Sequence, residues 1–333
     1  MVRLGSVTAA EERAFEKNHI SSQKERYLSC DVMHKVKVDR GYAEKVRRMQ
    51  KALGDETGWI LDIGANTCGE SEYLTTQGYA IVATDINEVA LGISKERCER
   101  FGRKPPYYLA CDAHRLALAP ESVHFVVLNE VLHHMYDPSQ VLREVARVLV
   151  PGGSVFLYEP YAFNPYRRLS EIRDRFKGTI ERSFGVRKLK TLLGRAGLKT
   201  VSIQRHIGPP SDWKAEVLGN IHRYLRRMYY TVSKAMPYVF ANLLVLATKP
   251  GAPLSPRQPT EFQLILRCPV SGAQVVEVNH GSGFLSMGKD FRGLYPAYGG
   301  IPVLIEQEAR RLDESAWRAL AYKASHVSGA TAR

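Results

Sequence analysis

The sequence has no long uninterrupted apolar run. Its longest mostly apolar stretch, residues 235–247, is interrupted by Pro237 and Asn242 and is shorter than the roughly 20 residues that a membrane-spanning helix needs. The first residues also lack the apolar core of a secretory signal peptide. With 44% hydrophobic and 24% charged residues, the chain has an ordinary globular composition, and we expect it to be cytoplasmic.

Cysteines are few and widely spaced, and no two of them form a Cys-x-x-Cys pair. There are five, at Cys30, Cys68, Cys98, Cys111 and Cys268. An odd number of scattered thiols supports neither a disulfide framework nor a cysteine-rich zinc site. We therefore expect no metal.

Acidic residues are scarce in one segment. Residues 159–250 contain 18 Lys and Arg but only 6 Asp and Glu, which accounts for +12 of the net charge of +13. Two interpretations stay open. The segment is either a solvated basic surface or a basic wall over an acceptor site, which would favour a phosphorylated small molecule, a lipid headgroup or nucleic acid.

Short apolar runs alternate with helical patterns from residue 59 onward. The first run, residues 59–63, predicts a buried parallel strand, followed by a turn at Gly64 and a helix. Further strands are predicted over residues 79–84, 106–110, 125–128, 154–158, 200–204 and 242–248. The alternation predicts an α/β fold, a Rossmann-like sheet with helices on both faces.

Polar residues follow the predicted strands. Asp62 and Asp85 end the first two, and Asp112, Asn129 and Glu159 follow the next three. Open α/β sheets bind ligands at the edge where the carboxyl ends of their strands meet, so we expect a cofactor crevice there. Asp85 is placed to take both hydroxyls of a ribose, although it also suits the N-cap of the following helix.

Four segments, in this order and spacing, resemble the class I S-adenosylmethionine-dependent methyltransferases, in particular the small-molecule branch called methyltransferase type 11. They are LDIGANTCGESEYL, ATDINEVAL, LACDAHRLALAPESVHFVVLNEVLHHMYDP and LREVARVLVPGGSVFLYEP. The resemblance implies S-adenosylmethionine as cofactor and an antiparallel last pair of strands. It implies these contacts: Asp62 and Gly64 with the methionine part, Asp85 with the ribose, Ile86 with the adenine face, Asp112 and Ala113 with the adenine edge, and Asn129 beside the sulfonium.

The turn departs from the family pattern Asp-x-Gly-x-Gly-x-Gly at two positions. Asn66 and Cys68 stand where the second and third glycines are usual. Asn tolerates positive φ better than most residues, so Asn66 is expected to keep the turn shape and to offer its amide to the cofactor's carboxylate. The alternative is a degenerate site, which would make the chain a non-catalytic cofactor-binding scaffold.

Two adjacent histidines are candidate catalytic bases. His133 and His134 follow the fourth predicted strand, where the resemblance puts the transferable methyl group, and a neutral imidazole suits proton removal from a hydroxyl. The alternative is that a histidine here hydrogen-bonds the backbone and shapes the pocket. Glu159 and Tyr158, at the end of the fifth strand, are the next candidates.

The chain is divided by its patterns into a central domain and flanking parts. A helical arm, residues 1–53, is expected to lie across the crevice as a lid or to pack on the sheet edge. In the central domain, a basic amphipathic helix at 214–236 is expected to cover the acceptor pocket or to lie on an anionic membrane surface. The predicted parts are the arm at 1–53, the methyltransferase domain at 54–249 with a cap insert at about 206–240, a Pro-rich linker at 250–260, a small β-rich domain at 261–310 and a C-terminal helix or tail at 311–333.

The small C-terminal domain resembles the zinc-ribbon-like protein that activates certain RNA and protein methyltransferases. The likeness rests on CPVSG and YPAYGGIPVLIEQEAR. A structural zinc site needs four ligands such as thiolates, and only Cys268 is present, so we expect a metal-free accessory domain. It would cover the cofactor edge, form a dimer or stabilise the chain.

The leading hypothesis is a methyltransferase for a small or lipid-linked acceptor, such as a sugar or natural product with a hydroxyl. The Asn/Asp-Pro-Pro-Tyr motif of exocyclic-amine methyltransferases is missing, which favours oxygen or carbon acceptors. The runner-up is an RNA (tRNA) methyltransferase, motivated by the basic segment and the activator-like tail. The sequence leaves peripheral membrane contact and the oligomeric state open.

Overall fold

The computed structural model describes residues 17–163, 182–207, 241–252, 259–279 and 281–327, with isolated positions between 228 and 236. Most of the predicted cap helix at 214–236 and of the Pro-rich linker lies outside the described residues. No helix in the described ranges combines the length and apolar character needed to cross a membrane.

A seven-stranded sheet forms the centre of the molecule. Its strands are β1 (Ile60–Ile63), β2 (Ile81–Asp85), β3 (Tyr107–Ala110), β4 (Val123–Asn129), β5 (Leu149–Pro160), β6 (Lys199–His206) and β7 (Asn242–Thr248), in the order β3-β2-β1-β4-β5-β7-β6. The first five are parallel, and β7 runs antiparallel to both β5 and β6. The predicted Rossmann-like α/β fold is confirmed.

Helices cover both faces of this sheet. They are α1 (Lys24–Leu28), α2 (Val32–Val38), α3 (Arg40–Leu53), α4 (Gly69–Thr76), α5 (Glu88–Arg100), α6 (Pro138–Val148) and α7 (Val186–Arg195). Short polar side chains begin several of them by accepting backbone N–H bonds, as Asp31, Asp39, Asn87 and Asp137 do for α2, α3, α5 and α6.

Two apolar clusters hold the helices on the sheet. On one face, Val46 and Met49 of α3 pack with Ile60 of β1 and Phe125 of β4. On the other face, the apolar stripe of α6 packs with Leu61 and other strand residues. The arm therefore packs on the sheet through α3, and this places two side chains of α3 beside the site described below.

Pro151, Gly152 and Gly153 lie within the first part of β5 and make an irregularity in that strand. The pairing of β4 with β5 shifts between Val123 and Phe125, and Gly152 has a φ of 79°, a conformation that glycine adopts without a Cβ penalty. The strand therefore begins at Leu149, before the stretch 154–158 that the sequence predicts as a strand.

The C-terminal part of the chain forms a second, antiparallel sheet. It consists of α8 (Phe262–Ile265), β8 (Val275–Val278), β9 (Gly283–Ser286), β10 (Gly293–Tyr298), β11 (Ile301–Pro302), β12 (Arg310–Arg311) and α9 (Glu314–Val327). The small β-rich domain of the predicted fold class is confirmed.

The second sheet covers the outer edge of the large one. Leu304 N–H donates to the carbonyl of Ala110 at 2.8 Å, and Val303 forms a parallel bridge with Ala110 in β3. Ile301, Val303 and Ile305 are buried against residues of β2, β3 and α5. An edge strand is thereby protected from pairing with other chains, directly behind the crevice.

Candidate active site

A cavity of about 380 Å³ opens at the carboxyl ends of the central strands. All of the cofactor-binding residues predicted from the sequence line it: Asp62, Gly64, Asn66, Asp85, Ile86, Asp112, Ala113 and Asn129. The topology brings them together because strands β1 to β4 are parallel and neighbouring, so their carboxyl ends meet at one edge.

Asp62 is a buried carboxyl at the end of β1. Ser71 Oγ donates to its Oδ2 at 2.6 Å, and Thr84 Oγ1 donates to its backbone carbonyl at 3.1 Å. Burial, opposed by the Ser71 hydrogen bond, raises the pKa of Asp62 to about 7. A positive group in the cavity would favour the ionised carboxylate, so this position suits an ammonium.

Asp85 accepts two backbone N–H groups. Asn66 donates to its Oδ2 at 2.8 Å and Asn87 donates to its Oδ1 at 2.9 Å. The N-cap of α5 is Asn87, so the N-cap role considered for Asp85 belongs to its neighbour. A carboxylate can accept several donors on its two oxygens, as two ribose hydroxyls would require.

The turn after β1 keeps a left-handed backbone at three positions. Gly64 has a φ of 68°, Asn66 of 49° and Cys68 of 53°. At Gly64 a Cβ would also lie 2.6 Å from a methyl group of Val131, so only glycine fits there. The expectation that Asn66 takes positive φ is confirmed, and Cys68 does so as well. The turn therefore has its shape without the two usual glycines.

Variants of Asn66 test this backbone. Asn66→Gly is expected to keep stability within about 1 kcal/mol and cofactor affinity within a few-fold, because glycine adopts the same φ. Asn66→Val is expected to cost about 1–3 kcal/mol, since a β-branched residue is strained at positive φ. Thermal unfolding and cofactor titration would measure both. Equal behaviour of the two variants would contradict the assigned strain.

The third strand is followed by a compact polar cluster. Asp112 Oδ1 accepts from the backbone N–H of His114 and from its ring Nδ1, both at 2.8 Å. Despite burial, these bonds hold the pKa of Asp112 below its usual range. The His114 ring is stacked on Tyr136, with 3.7 Å between centroids, and all three side chains belong to residues that line the cavity.

The structure separates the four candidate catalytic residues. His134 lines the cavity, whereas His133, Glu159 and Tyr158 do not. Glu159 is fully buried and accepts backbone N–H bonds from Val131, Leu132 and His133, and His133 Nδ1 lies 2.8 Å from its Oε2. Glu159 thus lies beneath the loop that carries the histidines and does not face an acceptor in the cavity.

Several lining residues were not predicted. Lys45 and Met49 reach the cavity from α3, and Glu70 and Glu130 lie close to Lys45. Lys45 Nζ lies 2.6 Å from Glu70, which raises the lysine pKa against the effect of burial. The amphipathic pattern of residues 40–53 was a usable signal, because it required one face of the arm to lie on the sheet.

The family comparison agrees with this geometry. Residues 61–157 match the protein-family model described as a methyltransferase domain. Residues 61–157 of this chain therefore form a methyltransferase domain. The lining suits S-adenosylmethionine, the methyl donor of such domains, because it combines the buried carboxyl of Asp62, the carboxylate of Asp85 and apolar residues such as Ile86.

Curated relatives are similar over part of their length. The ubiquinone biosynthesis O-methyltransferase of Aromatoleum aromaticum is 25% identical over 176 residues, 51% of this chain and 70% of that protein. The same enzyme of Dechloromonas aromatica is 31% identical over 29% of this chain and 42% of that protein. The ubiquinone/menaquinone C-methyltransferase UbiE of Desulfotalea psychrophila is 30% identical over 37% of this chain. The chain spans only 42% and 50% of the latter two.

Solved structures share the fold. Magnesium protoporphyrin IX methyltransferase from Synechocystis matches with a TM-score of 0.51 at 15% identity, over 73% of this chain and 100% of that one. A chain from the complex between the Haloferax volcanii Trm112 methyltransferase activator and the putative methyltransferase matches with a TM-score of 0.50 at 17% identity, over 72% and 99%. At these identities the likeness concerns the fold alone.

Proposed function

We propose that the chain methylates an oxygen or carbon atom of a small or lipid-linked acceptor, such as a sugar or natural product. The observation that supports this most strongly is the cavity, which brings the predicted cofactor residues and His134 to one edge of the sheet. Asn129 is followed by Glu130 rather than by two prolines and a tyrosine, which favours oxygen or carbon over an exocyclic amine.

Each strand end has a proposed task in holding the cofactor. Asp62 and the turn after β1 hold the methionine part, Asp85 holds the ribose, and Asp112 binds the adenine edge beside Ile86. Bound S-adenosylmethionine supplies an electrophilic methyl group. Asn129, at the end of β4, lies beside that group and orients the acceptor, since alignment of donor and acceptor is the main demand of an in-line displacement.

We assign the role of catalytic base to His134, because it is the candidate that lines the cavity. In this proposal it accepts the proton of the acceptor hydroxyl during transfer. His133 and Glu159 are positioning residues: the buried carboxylate holds the 3₁₀ turn at Leu132–His134 through backbone N–H bonds. The His133 ring in turn lies 4.0 Å from that of His134, between centroids.

The C-terminal domain is proposed to brace the adenine side of the site. Its support is the buried contact of Val303 with β3, the strand that leads to Asp112. The likeness of residues 261–310 to the small activator protein stays a prediction, and so do the cytoplasmic location and the domain boundaries.

Calorimetry with S-adenosylmethionine tests the cofactor binding on which the proposal rests. Binding is expected for the wild-type chain, and Asp85→Asn is expected to weaken it about tenfold or more, because hydrogen bonds to a charged group are lost. Asp55→Asn, an exposed carboxylate away from the cavity, is the control and should bind as the wild type does. Absent binding, or equal affinity for both variants, would refute the assignment.

The transfer step needs its own assay. With methyl-labelled cofactor and a panel of hydroxylated acceptors, His134→Asn is expected to lower kcat about 10²- to 10⁴-fold while cofactor affinity persists. An unchanged kcat would remove His134 as the base. Label transferred to RNA, with steeply salt-dependent binding, would instead favour an RNA acceptor.

A further inference from the structure

A half-buried arginine beside the cavity forms no ion pair with the acidic residues of the described ranges. Arg48 is on α3 between Lys45 and Met49, which both line the cavity. Its guanidinium lies over the ring of Tyr158, 4.4 Å from the centroid. Its Nη1 atom is buried and has no hydrogen-bond partner among the described residues.

The end of β6 brings a histidine to the same place. The ring of His206 meets that of Tyr158 edge-on, with 6.1 Å between centroids, and its Nε2 is buried and unpartnered within the described part of the chain. Burial, together with the positive charge of Arg48, lowers the pKa of His206 to about 4. A neutral imidazole still donates one N–H.

Neither Arg48 Nη1 nor His206 Nε2 has a hydrogen-bond partner among the residues that the structure describes. Glu44, one helical turn before Arg48, lies 3.7 Å from Arg47. The Tyr158 hydroxyl accepts from Asn242 Nδ2 at 2.9 Å, which fixes the aromatic ring beneath the guanidinium. Buried donors without an acceptor are rare in native proteins and call for an explanation. Two of them around one ring point to an acceptor-rich group that binds there.

We infer that Arg48, Tyr158 and His206 form a subsite for an oxyanion of the methyl acceptor, either a carboxylate or a phosphate. The planar guanidinium matches the geometry of both groups. The inference rests on the proposed function, because it places the subsite relative to the methyl group that the cofactor would carry.

The register of the sheet gives the distance between the two ends of such an acceptor. Tyr158 pairs with Asn129 in the sheet, and Asn129 lines the cavity. Neighbouring strands lie about 4.8 Å apart. His206 is two strands beyond Tyr158 in the sheet order. An anion held between Tyr158 and His206 therefore lies one to three strand spacings from Asn129, or about 5–15 Å.

An NMR titration of the full-length chain tests the subsite. The ring signals of His206, assigned by their loss in His206→Gln, are followed while inorganic phosphate or benzoate is added, with and without S-adenosylhomocysteine. Saturable shifts with either anion are expected, and Arg48→Gln should weaken binding about tenfold or more. Arg48→Lys, which keeps the charge without the fork, should give intermediate affinity.

The neighbouring arginine is a matched control. Arg47 is 67% exposed and carries the same charge on the same helix, so Arg47→Gln should leave anion affinity unchanged. Linear, non-saturating shifts, or equal affinities in Arg48→Gln and Arg47→Gln, overturn the subsite. Cofactor affinity measured on the same samples separates the two proposals: if it persists while anion binding fails, only the subsite is wrong, and if it is absent, the proposed function fails.

Discussion

Cofactor affinity is expected to rise with pH through about pH 7 and to fall about 10- to 100-fold when Asp62 is replaced by asparagine. The proposed partner of Asp62 is the ammonium of the methionine part. The pKa of this buried carboxyl is about 7, so at pH 6 most of it is protonated and unable to pair with the ammonium. Ionisation is complete about one unit above pH 7, where the affinity should level off.

The ion pair of Lys45 and Glu70, which acts on Asp62, keeps its charges across this pH range. The ion pair of Lys45 with Glu70 raises the pKa of the lysine and lowers that of the glutamate, so both stay charged between pH 6 and 8. Ser71→Ala supplies a directional control, since the Ser71 hydrogen bond lowers the pKa of Asp62. The inflection should therefore move to higher pH in Ser71→Ala, and it should vanish in Asp62→Asn.

The same carboxyl is expected to destabilise the cofactor-free protein. Its pKa rises from 3.8 to about 7 on folding, so the folded state holds a proton that the unfolded state has lost, and stability falls as pH rises from about 4 to 7. At pH 8 Asp62→Asn should be more stable by roughly 2–4 kcal/mol, with no gain at pH 4. Urea unfolding at both pH values measures this. A cofactor affinity that does not change from pH 6 to 8, or an Asp62→Asn variant without added stability at pH 8, would contradict the assignment.

The strand-end residues were predictable because a parallel sheet brings the ends of neighbouring strands to one edge. Asp62, Asp85 and Asn129 needed only the identification of the strands and the rule for where such sheets bind ligands. The turn conformation at Asn66 followed from the tolerance of asparagine for positive φ. Cys68 has no such tolerance, yet it takes a positive φ in the turn, where it is fully buried and its N–H donates to the carbonyl of Ala65 at 2.7 Å.

The other residues of the site depend on tertiary contacts that sequence spacing does not contain. Lys45 reaches the cavity because α3 docks on one particular face of the sheet, and Tyr136 because its ring stacks on His114. Glu159 was a further candidate base because it lies at the end of β5. Its burial follows from three backbone N–H groups of a 3₁₀ turn, a local structure that the apolar pattern does not reveal.

Replacing Arg97 by methionine is expected to destabilise the protein by about 3–5 kcal/mol. Arg97 is 2% exposed, and its guanidinium binds the fully buried Glu72 through Nε at 2.8 Å and Nη2 at 2.7 Å. It also donates to the carbonyls of Thr67 and Tyr27. The variant would leave Glu72 with Arg103 at 2.8 Å as its remaining cation.

This cluster joins the arm, the turn after β1 and the helices α4 and α5. Its loss should therefore also affect cofactor binding. Thr67 follows Asn66 in the turn, and the Arg97 bond to its carbonyl, at 2.7 Å, fixes the turn from behind. Cofactor affinity in Arg97→Met is therefore expected to fall even at temperatures where the chain is folded. Arg100→Met, an exposed position on the same helix, is the control and should change neither property.

A double variant separates the cost of an unpaired charge from the value of the ion pair. Without Arg97, the buried charge of Glu72 is expected to destabilise the protein. The double variant Glu72→Met, Arg97→Met should then recover part of the stability lost in either single variant, because apolar side chains can often replace a buried ion pair. Arg103 limits the recovery, because it would lose a partner and keep only Asp31 at 2.5 Å. Strictly additive losses would show that the residues act independently, and a single-variant loss below about 1 kcal/mol would place Arg97 among ordinary surface pairs. The comparison by urea unfolding thus decides whether Arg97 and Glu72 stabilise the protein as a coupled pair or independently of each other.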